Sequence, residues 1–121
     1  MIDFKVIEGT FGDAYIQAFF YDIFNKRIEL HYEGYHAAGY YKEIPCMLVI
    51  ENWNEAYSMP YDADVEYSKR KKFELDRHMG VFFMIMGIKG SGKWFEITIN
   101  TIDERYVTYL FENPQLRIVE K

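Results

Sequence analysis

The chain has 121 residues, a net charge of −5 and a single cysteine, and half of its residues are hydrophobic. That is the size of one domain, apolar enough to rule out disorder and too poor in cysteine for a disulfide scaffold or a multi-cysteine zinc site. Ile, Val, Phe, Tyr, Trp and Thr number 46 against 11 Leu and Ala, which excludes an all-helical protein.

Phe4 to Ile7 reads as a short first strand. Tyr15 to Tyr21 alternates at period two and is apolar on both faces, which predicts a central strand. Asp22 to Lys26 is a turn. In the next strand Ile28, Leu30 and Tyr32 face one way and Arg27, Glu29, His31 and Glu33 the other. The two strands form an antiparallel hairpin. Gly34 to Tyr41 breaks the pattern, and Cys46 to Glu51 resumes it as a buried strand. Asn52 to Asp64 reads as a long loop, with Pro60 and several Asp and Asn. Asp64 to His78 favours an extended hairpin, with Lys69-Arg70-Lys71-Lys72 at its tip, over a helix with a poor apolar stripe. Val81 to Ile88 and Lys93 to Asn100 are strands joined by Lys89-Gly90-Ser91-Gly92. Tyr106 to Phe111 and Leu116 to Val119 complete the set. The chain therefore predicts a single all-β domain over residues 1–121. Its architecture is an antiparallel sandwich or partly open barrel of about eight strands, with room for one short helix.

No residue set carries a catalytic, cofactor or metal signature. Gly90-Ser91-Gly92-Lys93 imitates a phosphate loop, but Trp94 stands where Ser or Thr belongs and a strand follows it, so it reads as a hairpin turn. His31, His36 and His78 lack metal-ligand spacing. Ser58, Ser68 and Ser91 lack a nucleophile motif. Cys46 leads an apolar run and reads as a core residue. Lys69 to Lys72 is flanked by Glu66, Glu74 and Asp76 and reads as a solvated turn. The Met1–Lys5 start has no leader pattern, and no apolar run is long enough to span a membrane, so a cytoplasmic location is expected.

Charge and aromatics give the functional lead. Residues 1–66 carry twelve acidic and four basic side chains, and residues 67–121 carry ten basic and seven acidic. Such a chain is a poor nucleic-acid binder and better suited to a basic protein partner. Trp53, Tyr57 and Tyr61 flank Asp62, Asp64 and Glu66, which in extended chain would line one face. Aromatics beside charge are the usual anchors of a binding surface, and these six residues are the expected partner contacts.

Three stretches carry a likeness. Pro45 to Trp53, then His78-Met79-Gly80-Val81, then Arg105-Tyr106-Val107 with Phe111-Glu112-Asn113-Pro114, resemble small bacterial all-β proteins and the immunity proteins that accompany polymorphic toxins. The resemblance covers most of the chain beyond Ile16. It implies a non-catalytic cytoplasmic inhibitor of a cognate toxin and transfers no individual binding residue. Two other expectations stand beside it: a small-ligand-binding β-barrel or an enzyme built on one, and a homo-oligomeric structural subunit.

Overall fold

A computed structural model describes residues 4–12, 14–37 and 40–121. Met1–Asp3 at the expected leaderless start, and Ala38 and Gly39 in the expected break, lie outside the described residues.

The described chain forms one helix, α1 (Phe4–Phe11), and eleven strands. These are β1 (Ala18–Asp22), β2 (Arg27–Tyr32), β3 (Tyr35–Ala37), β4 (Tyr40–Lys42), β5 (Cys46–Glu51), β6 (Ala56–Pro60), β7 (Phe73–Glu74), β8 (Phe82–Ser91), β9 (Trp94–Thr101), β10 (Tyr106–Glu112) and β11 (Gln115–Glu120). One sheet has the order β1-β2-β5-β11, a second β7-β6-β10-β9-β8, and β3 and β4 make a small hairpin. All strand pairs are antiparallel, so the fold is an all-β sandwich. No described helix is long and apolar enough to cross a membrane.

The two main sheets are joined by one folded ribbon. β5 continues into β6 and β10 into β11, each pair changing sheet, while β5 pairs with β11 and β6 with β10. Backbone hydrogen bonds carry the ladder through the bend: Asn54 N–H to Glu112 O at 2.9 Å and Glu112 N–H to Glu55 O at 2.8 Å. Asn52 and Asn113 turn the corner at φ 56° and 47°, in the left-handed region that asparagine tolerates better than most residues. The Asn52 amide also donates to Gln115 Oε1 at 2.7 Å, across the bend. Trp53 fills the inside of the corner, 5% exposed, with its ring 4.9 Å from that of Phe111.

Inward-facing residues follow from period-two alternation. On β9, Phe95, Ile97 and Ile99 are buried while Trp94, Glu96 and Thr98 face outward. They meet Ile28, Leu30, Leu48 and Ile50 of the opposite sheet in the core. Phe82 stacks between Phe19 at 4.6 Å and Tyr109 at 4.8 Å. Cys46 is buried there as expected, and burial pushes its thiol pKa up.

Four expectations need correction. The first segment is a helix: Ile7 and Phe11, four residues apart, share the buried face, and Phe11 stacks on Tyr32 at 4.4 Å. A four-residue window is too short to separate the two periods. β1 is an edge strand, and its second apolar face is solvent-exposed at Phe20 and at Ile23 and Phe24 in the following turn. Before β1 the chain laces the two sheets together, with Ile16 N–H to Phe83 O at 2.8 Å and Gln17 N–H to His31 O at 2.7 Å. The expected loop at 52–64 contains β6, an interior strand with Ser58 and Met59 buried. The expected hairpin at 64–78 is instead two short 3₁₀ turns, Tyr67–Lys69 and Leu75–His78, around the two-residue β7.

The second of those turns closes one end of the sandwich. Leu75 enters the core, the Tyr21 hydroxyl donates to Asp76 at 2.5 Å, and the Tyr109 hydroxyl donates to His78 O at 2.9 Å. The expected 34–41 break holds the β3–β4 hairpin, where Gly34 is required: a Cβ there would lie 2.3 Å from Lys42 O.

Asn113→Val is expected to destabilise the protein by about 1–2 kcal/mol, because a β-branched residue resists positive φ. Asn113→Gly is expected to be tolerated. Phe82→Ala leaves a cavity between two rings and is expected to cost about 3–5 kcal/mol. Urea denaturation of the three variants checks all of these values.

Candidate functional site

The two outer faces of the sandwich differ. On the four-stranded sheet the charges are paired. Glu51 lies 2.5 Å from Arg27 and 2.9 Å from Arg117, and Glu29 lies 2.8 Å from Arg27 and 3.1 Å from His31. On the five-stranded sheet, residues 61–72 form a strap. The strap leaves the end of β6 and must cross β10, because the Tyr67 hydroxyl donates to a Glu96 carboxylate oxygen on β9. Met59 and Leu110, on the outer face and apart from the main core, are buried on this side of the molecule.

The strap is held at several points. Asp62 accepts the Asp64 N–H at 3.0 Å and so shapes its own turn. Arg70 Nε donates to Val65 O at 3.1 Å, and its guanidinium lies 4.7 Å from the Tyr61 ring centre and 5.8 Å from that of Tyr67. Ser58 Oγ donates to Glu74 O at 2.8 Å where the strap rejoins the sheet.

Of the six expected partner contacts, four come together on the strap: Tyr61, Asp62, Asp64 and Glu66 are exposed there. The three carboxylates do not share a straight edge, because the segment turns. Tyr57 is half-buried on the sheet, 5.9 Å ring to ring from Trp94. Trp53 is buried in the corner and does not belong to this surface. Its neighbours Asn52, Asn54 and Glu55 made it resemble a loop residue.

Between strap and sheet lies a cleft of about 470 Å³, lined by Tyr61, Tyr67, Arg70, Thr98, Tyr106 and Thr108. The sequence alone reads Arg70 as part of a solvated turn and points to no role for Thr98, Tyr106, Thr108 or Glu96. The available signal was register: the outward rows of β9 and β10 place Thr98 opposite Thr108, and their hydroxyls are 2.9 Å apart. Past Tyr67 a second hollow of about 270 Å³ reaches Gly87, Lys89 and Glu96.

The remaining motifs take their places elsewhere in the fold. Gly90 and Ser91 end β8, and Gly92-Lys93 make the β8–β9 turn, with Gly92 at φ 60°. His31 pairs with Glu29, His36 is exposed with its ring 5.3 Å from that of Tyr41, and His78 meets the Phe73 ring edge-on at 4.6 Å. Among the described residues no three His, Cys, Asp or Glu side chains converge as metal ligands. No protein-family model, curated protein or solved structure matches the chain.

Titratable groups with shifted pKa values bracket the pH range of the fold. Burial, and then the hydrogen bond to Glu96, holds the Tyr67 proton well above the usual phenol range. Burial raises Tyr109 to about 12 and raises Tyr32 further. Burial, reinforced by Arg77 and Arg105, lowers His78 below its ordinary value. A raised phenol contributes stability below about pH 10 that is lost as pH climbs through its folded value. A lowered histidine contributes stability above about pH 6.5 that is lost as pH falls. Thermal melting against pH is expected to show a plateau between these limits. Tyr67→Phe should make the alkaline fall shallower and leave the acid limb unchanged.

Proposed function

We propose that this protein is a non-catalytic protein-binding module that engages a basic protein through the strap. Its most concrete form is a cytoplasmic immunity protein that inhibits a cognate toxin. The observation that carries this reading is an anchored loop with exposed acid and aromatic groups. Tyr61, Asp62, Asp64 and Glu66 face solvent from a segment tied down by Tyr67 and Arg70. A loop ordered before binding loses less entropy on association than a mobile one. Tyr61 offers a large amphipathic contact, and the carboxylates steer a basic surface toward it. A specific interface of ordinary size buries about 800 Å² on each partner, which the strap and the neighbouring sheet face can supply.

Asp64 and Glu66 are the cleaner probes, since Asp62 also supports its own turn. Glu66 has only a long 3.8 Å approach to the exposed Lys69. The test is a calorimetric titration against a toxin domain encoded beside the gene. The double variant Asp64→Lys, Glu66→Lys is expected to weaken binding at least about tenfold, or 1.4 kcal/mol, with an unchanged melting temperature. Unaltered affinity would overturn the reading.

A further inference from the structure

The cleft between strap and sheet shares Tyr61 with the acidic surface, but no carboxylate lines it, so its chemistry differs. Its volume of about 470 Å³ is in the usual range for a small-molecule site. Three tyrosine rings, those of Tyr61, Tyr67 and Tyr106, line it together with Thr98 and Thr108. The two threonine hydroxyls bond to each other at 2.9 Å, which uses one of their two protons and leaves the other able to donate to a ligand.

Charge decides the ligand class. Arg70 lines the cleft with Nε engaged on Val65 O, while its two terminal nitrogens have no hydrogen-bond partner among the described residues. Lys89 stands on the other side of Tyr67, its ammonium 5.6 Å from the ring centre. The nearby Glu96 carboxylate already accepts the Tyr67 hydroxyl. Arg70 is the one charged side chain lining the cleft, which disfavours a cationic ligand despite the three tyrosines. An open guanidinium edge suits the paired oxygens of a phosphate or carboxylate. The exposed rings of Tyr61 and Tyr106, which meet edge-to-face at 6.4 Å, suit a flat ring.

We propose that this cleft binds a small ring-bearing anion, with Arg70 taking its phosphate or carboxylate and Tyr61 and Tyr106 packing its ring. This site goes beyond the protein-binding reading and does not rest on it.

The test is an amide NMR titration of the full chain with four probes: a nucleoside 5′-monophosphate, the same nucleoside without phosphate, an aromatic carboxylate, and inorganic phosphate. Expected are saturable shifts at Thr98, Tyr106 and Thr108 with at least one ring-bearing anion, and at least tenfold weaker binding of the bare nucleoside and of inorganic phosphate. Which anion saturates separates phosphate from carboxylate as the recognised group. Arg70→Gln should weaken binding at least tenfold and Arg70→Lys less. Because Arg70 also braces the strap, Lys89→Gln supplies a variant outside it and should weaken binding severalfold. Asp64→Lys with Glu66→Lys puts positive charge on both sides of Val65, which holds Arg70, and should leave the anion affinity unchanged or raised while partner binding falls, so this test and that of the partner surface fail separately. No saturable shift up to about 10 mM of either ring-bearing anion would overturn the site. So would equal affinity for the bare nucleoside, or affinity untouched by both Arg70→Gln and Lys89→Gln.

Discussion

The fold depends on a single bend. β5–β6 and β10–β11 form one antiparallel ribbon that leaves one sheet and enters the other without losing its pairing. A ribbon can turn that sharply only where residues accept positive φ and something fills the inside of the corner. Asn52 and Asn113 meet the first condition and Trp53 the second. Because the ribbon belongs to both sheets, its angle sets how their inner faces meet. Loss of the indole would remove the corner's filling, and cavities of that size cost about 3–5 kcal/mol. The same bend places β6 beside β10, so the strap leaving β6 has a neighbouring strand to cross and a row of outward residues to rest on.

That arrangement leaves the two outer faces with different characters. On the four-stranded sheet, Glu51 bridges Arg27 and Arg117, and Glu29 bridges Arg27 and His31. These pairs are only partly exposed and leave few unmatched charges there. On the five-stranded sheet, long side chains are replaced by Thr98, Thr108 and Gly87 near the middle, and the strap spans the resulting hollow. Anchors at Asp62, Val65, Tyr67 and Glu74 divide one long connection into several short ones. Each short closure costs less entropy than a free segment of the full length. The strap is thus held in place with almost no regular secondary structure.

The sandwich was legible because its strands are long enough for period two to be unmistakable. β2 and β9 alternate without exception. The failures share one cause: local pattern was read where tertiary contact decides. Ala56 to Pro60 looked like loop because Pro60 and the surrounding Asn and Asp are turn formers, yet its backbone is claimed by β10. The first segment has too few residues to show a period, and it becomes a helix because Ile7 and Phe11 find a pocket together. Trp53 looked like a surface anchor for the same reason that it is a corner wedge: a large ring among turn residues serves either purpose, and only burial separates them.

For the candidate site, the acidic and aromatic cluster could be read from neighbouring residues, and the cleft could not. Asp62, Asp64 and Glu66 are close in sequence, so their joint exposure needed only a surface loop. The cleft draws on three segments, with Arg70 from the strap, Thr98 from β9, and Tyr106 and Thr108 from β10. Its existence depends on register and on the strap's path, neither of which composition encodes. The charge asymmetry acquires a location as well. Its boundary falls between Glu66 and Tyr67, inside the strap, where the chain passes from solvent-facing carboxylates to the turn that carries Arg70. One twelve-residue segment therefore carries exposed carboxylates in its first half, exposed lysines in its second and Arg70 turned to the cleft, and the excess of negative charge in the first half of the chain says nothing about the sign of the cleft.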